Sequence, residues 1–143
     1  MFITRATRHD HDDIRALLAT NEWAEDFEPK RGKAYIARDG AVIGHVQLVE
    51  VEPQVVVIDQ VLVLEDRRGK GVGTQLMQAA MNSHGGKLYL CCHAERIPFY
   101  ERLGFTLLPN GYHDAPGSVQ GFWREVDDWP TEKGHEHFFM TAR

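Results

Sequence analysis

Short apolar runs of strand length, separated by turn residues, set the pattern of the chain. Phe2–Arg5 predicts an opening strand. Ile14, Leu17 and Leu18 recur at helical spacing behind Thr7 and Asp10, either of which can cap the helix they predict. Asn21–Lys30 carries Trp23 and Phe27 four residues apart and predicts a short helix or a loop. Lys33–Arg38 and Ala41–Glu50 predict strands joined by Asp39-Gly40, a tight-hairpin pair. Glu52-Pro53 then turns the chain into Gln54–Val63, a strongly β-branched segment expected at the centre of a sheet. A helical pattern over Thr74–Asn82 has Val72, Leu76, Met77 and Ala80 on one face and Gly85-Gly86 at its end. Lys87–Cys92 predicts a strand, Glu95–Leu103 a short helix with Pro98 near its first turn, and Phe105–Leu108 a strand. Pro109–Gly134, with three prolines and four glycines, predicts loop, and His135–Thr141 a terminal strand. The order β-α-(α)-β-β-β-α-β-α-β-β is a mixed α/β fold with an antiparallel meander and two later strand–helix–strand units. A doubly wound dinucleotide fold would alternate strand and helix throughout, and this chain does not.

Composition narrows the class. At 143 residues a single domain, 1–143, is expected. Asp59 and Gln60 interrupt the longest apolar run, Val55–Leu64, so no membrane association is expected, and Met1-Phe2-Ile3-Thr4-Arg5 lacks a signal-peptide core. The only cysteines, Cys91-Cys92, are adjacent on a strand and point to opposite faces. That argues against a disulfide framework and fits a cytoplasmic location. A net charge of −5 disfavours nucleic acid as a partner. Against that background Arg67, Arg68 and Lys70 form a local positive cluster suited to a small anion.

That cluster belongs to Arg68-Gly69-Lys70-Gly71-Val72-Gly73, which reads as strand, glycine-rich turn, helix. Such a turn aims consecutive backbone N–H groups and the positive end of a helix dipole at one spot, which binds phosphate. It is neither a nucleotide P-loop nor a dinucleotide fingerprint, because the spacing is Gly69-x-Gly71-x-Gly73.

The pattern Arg-x-x-Gly-x-Gly over Arg68–Gly73, preceded by Val61-Leu62-Val63, resembles the cofactor loop of the GNAT superfamily of acyl-CoA-dependent N-acetyltransferases. Phe99-Tyr100-Glu101-Arg102-Leu103-Gly104-Phe105 resembles the family's second signature, and the separation of the two is typical. The end of the chain, Glu125…His135-x-His137-Phe138-Phe139-Met140, is similar to a bacterial branch of small GNATs. Here the Glu-to-His spacing is longer, through Asp127-Asp128-Trp129-Pro130.

The resemblance implies a GNAT fold with splayed strands four and five, acetyl-CoA as cosubstrate, and direct transfer of its acetyl group to a primary amine of a small molecule or peptide. It places the CoA pyrophosphate on Arg68, Gly69, Lys70, Gly71, Val72, Gly73 and Thr74. The pantetheine arm is expected along the free backbone of Val61 and Val63, with an oxyanion donor near Leu62 or Val63. Tyr100 is either the general acid for the leaving thiolate or a core aromatic. Asp59 is either the general base or a solvent-facing carboxylate, and Glu50 is a second candidate base. His93 and Arg96 stand where many members have asparagine and alanine. Trp23, Phe27, Trp123 and Trp129, with Glu22, Glu25, Asp26, Glu125, Asp127 and Asp128, form either an acidic aromatic rim for a cationic acceptor or a solvated surface over packed tryptophans. His137 is a further polar group of the acceptor pocket. The eight histidines, among them the strand pair His135 and His137, show no recognised ligand spacing, so no metal is expected. Monomer and homodimer both remain open, as do a non-catalytic acyl-CoA-binding regulator of the same fold and a transferase using another acyl-CoA.

Overall fold

The computed structural model describes residues 1–127 and 137–143. Its strands are β1 (Phe2–Arg5), β2 (Lys33–Asp39), β3 (Ala41–Glu52), β4 (Val55–Val63), β5 (Lys87–Cys92), β6 (Thr106–Leu107) and β7 (Phe138–Ala142). Its α-helices are α1 (His11–Ala19), α2 (Val72–Asn82), α3 (Ile97–Arg102) and α4 (Gly117–Asp127). The strands hydrogen-bond in the order β1-β2-β3-β4-β5-β7-β6, a mostly antiparallel sheet of the mixed α/β class expected from the sequence. Contacts divide the chain into two compact units, one of residues 1–49 and 58–85, the other of residues 50–57 and 86–143.

In the first unit β1, β2 and β3 form an antiparallel meander. Thr7 caps the turn leading into α1, with a reciprocal bond from Thr7 N–H to Asp10. Ile14, Leu17 and Leu18 bury the inner stripe of α1 with Phe27, Ala34, Ile36, Val42 and Leu62. Ala37, Ile43 and Val72 form a second cluster. The β2–β3 register slips once: Ala37 opposes Gly44 and Arg38 opposes Val42. Ile43 is therefore the extra residue of a bulge. The bulge lets both Val42 and His45 face the α1 cluster, where the His45 ring meets Phe27 at 5.4 Å.

In the second unit β4 starts a parallel ladder with β5, through Val55–Lys87, Val56–Leu88 and Val57–Tyr89, and the ladder ends there. β5 continues against β7, from Leu88–Ala142 to Cys92–Phe138. Phe139, Trp123 and Tyr112 stack beside that pair.

Asn21–Lys30, expected as a short helix or a loop, folds as the latter with two single 3-10 turns, Ala24–Asp26 and Pro29–Arg31, because Pro29 has no N–H with which to continue a helix. One element differs from the sequence reading. The stretch read as loop from Pro109 contains α4. Pro116 sits just before its first residue and accepts bonds from Val119 and Gln120, while Val119, Phe122 and Trp123 supply a buried stripe at helical spacing. The terminal strand is described only from Phe138. His135, Trp129 and Asp128 lie outside the described residues.

Candidate active site

The end of β4 and the start of α2 lie in the first unit and are joined by a turn with two left-handed glycines, Gly69 at φ +78° and Gly71 at φ +82°. A β-carbon would strain both positions, and at Gly69 nothing lies within 4 Å of where one would stand. Gly71 is the N-terminal cap of α2 and brings no side-chain oxygen to its amides. The N–H groups of the first turn of α2, from Val72 on, are thus left without helical partners and without a side-chain cap. Gly73 lies within the helix and has no such backbone requirement.

The three basic residues of the turn separate in role. Arg67 Nη1 donates to Asp39 Oδ2 at 2.7 Å, a bond that raises the arginine's pKa and lowers the aspartate's. Arg67 is therefore neutralised on the hairpin and leaves the positive cluster. Arg68 Nε donates to the Val63 carbonyl at 2.8 Å, which ties its side chain to the end of β4 and leaves both Nη groups outside that bond. Lys70 is exposed. The Val63 carbonyl, expected to be open, already accepts one bond. Leu62 turns into the α1 cluster, whereas Val63 packs toward Ala37, Ile43 and Val72.

Asp59 is half-buried in β4. The next residue, Gln60, has φ +52°, a left-handed backbone within a strand that non-glycine residues rarely adopt. Its carbonyl accepts a bond from His45 Nδ1 at 2.9 Å. His45 is fully buried, and burial pushes its pKa down to about 4, against the opposing effect of that bond. The imidazole is thus neutral near pH 7. Gln47, also fully buried, donates Nε2 to the carbonyls of Glu28 at 2.9 Å and Gly32 at 3.4 Å. The sequence reading gives no functional role to His45, Gln47 or Gln60. The signal for the first two is a pair of polar residues two apart in a strand otherwise filled with Val42, Ile43, Val46 and Leu48.

Trp23 is half-buried against the α1 cluster. Phe27, grouped with it as rim, is instead 5% exposed and packs edge-on against His11 and His45. Glu50, at the end of β3, is exposed.

In the second unit Tyr100 on α3 is 7% exposed, edge-on to Phe99 at 5.1 Å and Phe105 at 5.9 Å. Burial, with a smaller contribution from Cys92, pushes its hydroxyl pKa up, so it is protonated at neutral pH. Cys92 is pushed up to about 11, chiefly by burial, and its thiol lies 3.9 Å from the Met140 sulfur. His137 is half-buried with its ring 5.1 Å from that of the exposed His93. Trp123 does not form a rim: it is 3% exposed, 4.8 Å from Phe139, because α4 turns it into the core. Glu125 lines a groove of about 290 Å³ with Val51, Ser118, Gly121 and Phe122.

The acetyltransferase (GNAT) family matches residues 3–105 of the chain. No curated protein sequence matches it. Among solved structures, an aminoglycoside 6'-N-acetyltransferase complexed with coenzyme A superposes with a TM-score of 0.68 at 16% identity, covering 99% of this chain and 96% of that one. The IAA acetyltransferase from Bacillus cereus ATCC 14579 gives 0.68 at 21% identity, with 99% and 97% covered. A GNAT family acetyltransferase from Brucella melitensis in complex with acetyl-CoA gives 0.61 at 19% identity, with 73% and 82% covered. At these identities the likeness is one of fold.

Proposed function

The chain belongs to the acetyltransferase (GNAT) family, and from that premise we propose that it moves an acetyl group from acetyl-CoA to a primary amine of a small molecule or peptide by direct transfer. The observation that carries this reading is the turn from Arg68 to Gly73. Its two left-handed glycines precede uncapped amides at the start of α2. Those residues fit a diphosphate: amides and a helix dipole for its charge, Arg68 and Lys70 for charge-assisted bonds, and no β-carbon at Gly69 or Gly71 to keep an anion away.

When bound, acetyl-CoA supplies an acyl thioester and a thiolate leaving group. The chain's own residues orient and stabilise. The backbone of β4 at Val61 and Val63 aligns the pantetheine arm, and an N–H near Leu62 or Val63 donates to the carbonyl oxygen as negative charge develops on it. The Tyr100 hydroxyl donates a hydrogen bond to the departing sulfur. Its raised pKa suits donation better than complete loss of the proton. The amine must shed a proton to react, and the Asp59 carboxylate is the proposed recipient, with Glu50 as a second candidate. Trp23 and His137 remain proposed acceptor contacts, whereas Trp123 is withdrawn from that role by its burial.

The test is thiol release from acetyl-CoA across a panel of primary amines, with mass analysis of the products. Amine-dependent release with an N-acetylated product supports the reading. Binding of CoA without release for any amine would make the chain a regulator instead.

A further inference from the structure

Three buried side-chain atoms of the first unit have no hydrogen-bond partner among the described residues: His45 Nε2, Gln47 Oε1 and Gln60 Oε1. His45 and Gln47 are fully buried, and Gln60 is 9% exposed. His45 and Gln47 share one neighbourhood. Residues 45 and 47 point the same way on β3, and His45 Nδ1 bonds the Gln60 backbone. The segment from Phe27 to Gly32 covers these two side chains, with the Phe27 ring on His45 and the Glu28 and Gly32 carbonyls on Gln47.

Their chemistry is of one kind. His45 Nδ1 faces a carbonyl and so carries the proton, which leaves Nε2 as a bare acceptor. Gln47 Nε2 faces two carbonyls, which fixes its amide orientation and leaves Oε1 as a bare acceptor. Buried acceptors without donors are costly, and the His45–Gln47 pair calls for a group with two N–H or O–H donors. A carboxylate or phosphate would add acceptors where none can be satisfied.

We infer that His45 Nε2 and Gln47 Oε1 form a recognition site for a hydrogen-bond-donating group, and that this group is the amine of the acyl acceptor. The second half rests on the acetyl-transfer reading. Acceptors that hold the N–H bonds of a neutral amine leave its lone pair free. Gln60 directly precedes Val61–Val63, the segment proposed to align the thioester. The half-buried Trp23, packed on the cluster that holds Phe27, gives an amine with an apolar body a surface to lie on.

The experiment uses the full chain, labelled with nitrogen-15 in its histidine rings and free of acyl donor. Methylamine, 2-phenylethylamine and spermidine are titrated in turn, with trimethylphenethylammonium as a probe that keeps the charge but has no N–H. The inference expects at least one primary amine to move the His45 Nε2 resonance and the trimethylated probe to leave it unmoved. Ordered water alone in the site would leave that resonance insensitive to every amine, which overturns the inference. His45→Asn places an amide nitrogen where Nδ1 stands, keeping the bond to Gln60 while deleting the Nε2 acceptor. It is expected to raise the KM for the responding amine about 3- to 10-fold, the equivalent of one hydrogen bond, with acetyl-CoA affinity unchanged. An unchanged KM would also sink the inference. The two readings fail separately. Amine binding at His45 without acetyl transfer removes the enzyme and keeps the donor site. Transfer with a silent His45 does the reverse.

Discussion

The Nε of Arg68 lies 2.8 Å from the carbonyl oxygen of Val63, so the guanidinium of the glycine-rich turn is braced on the last residue of β4. The brace presets the side chain beside the amides it is proposed to assist. Arg68→Ala should therefore weaken CoA binding about 10- to 100-fold, as expected for a lost charge-assisted contact. Arg68→Lys keeps the charge but not the planar fork and should fall between. Calorimetric titration with CoA measures both, and the wild-type affinity should drop as salt rises. Equal affinity in all three proteins would remove Arg68 from the site.

Gly71 and Gly121 carry opposite predictions from the same substitution. Gly71 is left-handed at φ +82°, so Gly71→Ala should cost about 1–2 kcal/mol of stability and distort the start of α2. Gly121 lies inside α4, has no positive φ, and an added β-carbon there meets nothing within 4 Å. Gly121→Ala should stabilise by about 0.5–1 kcal/mol. Urea unfolding of the two variants checks the signs, which should be opposite.

His45 makes stability depend on acidity. The unfolded imidazole takes up its proton near the ordinary pKa of 6.5, the folded one only near 4. Between those values the unfolded chain binds more protons, so stability should be full above about pH 6.5 and decline as pH falls toward 4. The loss should reach roughly 3 kcal/mol relative to His45→Asn, which has no ring to titrate. Chemical denaturation of both proteins from pH 7 to pH 4 measures the difference. Parallel curves would mean the buried ring is not held neutral.

Two buried aromatics of the second unit should respond differently to change. Trp123→Ala opens a cavity beside Phe139 and should cost about 3–5 kcal/mol of stability without a selective effect on the amine KM. Tyr100→Phe keeps the packing against Phe99 and Phe105 but loses the hydroxyl. It should lower kcat about 10²-fold with CoA affinity intact. Steady-state kinetics and thermal melts together separate the two. A normal kcat in Tyr100→Phe would return that tyrosine to a packing role.

Local rules carried the sequence a long way. Asp39-Gly40 marked its hairpin, and the alternation of strand and glycine marked β4, the turn and α2, because these depend on residues adjacent in the chain. Pro116 and Gly117 hid α4, since residues that open a helix also punctuate loops and only the buried stripe of Val119, Phe122 and Trp123 decides. The same limit leaves Trp123 and Phe27 undecided between rim and packed interior in the sequence, because burial depends on packing partners remote in sequence. His45 and Gln47 went unread because the one-residue bulge at Ile43 resets which face each side chain takes, and a bulge leaves no periodic trace. Arg67 counted as a ligand-facing charge until the fold brought Asp39 to it from 28 positions away.

The turn after β4 is proposed to hold the diphosphate of CoA. Backbone amide resonances recorded during a CoA titration address that role residue by residue. Saturable shifts are expected, centred on Gly69 to Thr74, with a second group at Val61 to Val63. CoA binding that leaves those amides undisturbed, or no binding at all, would contradict it.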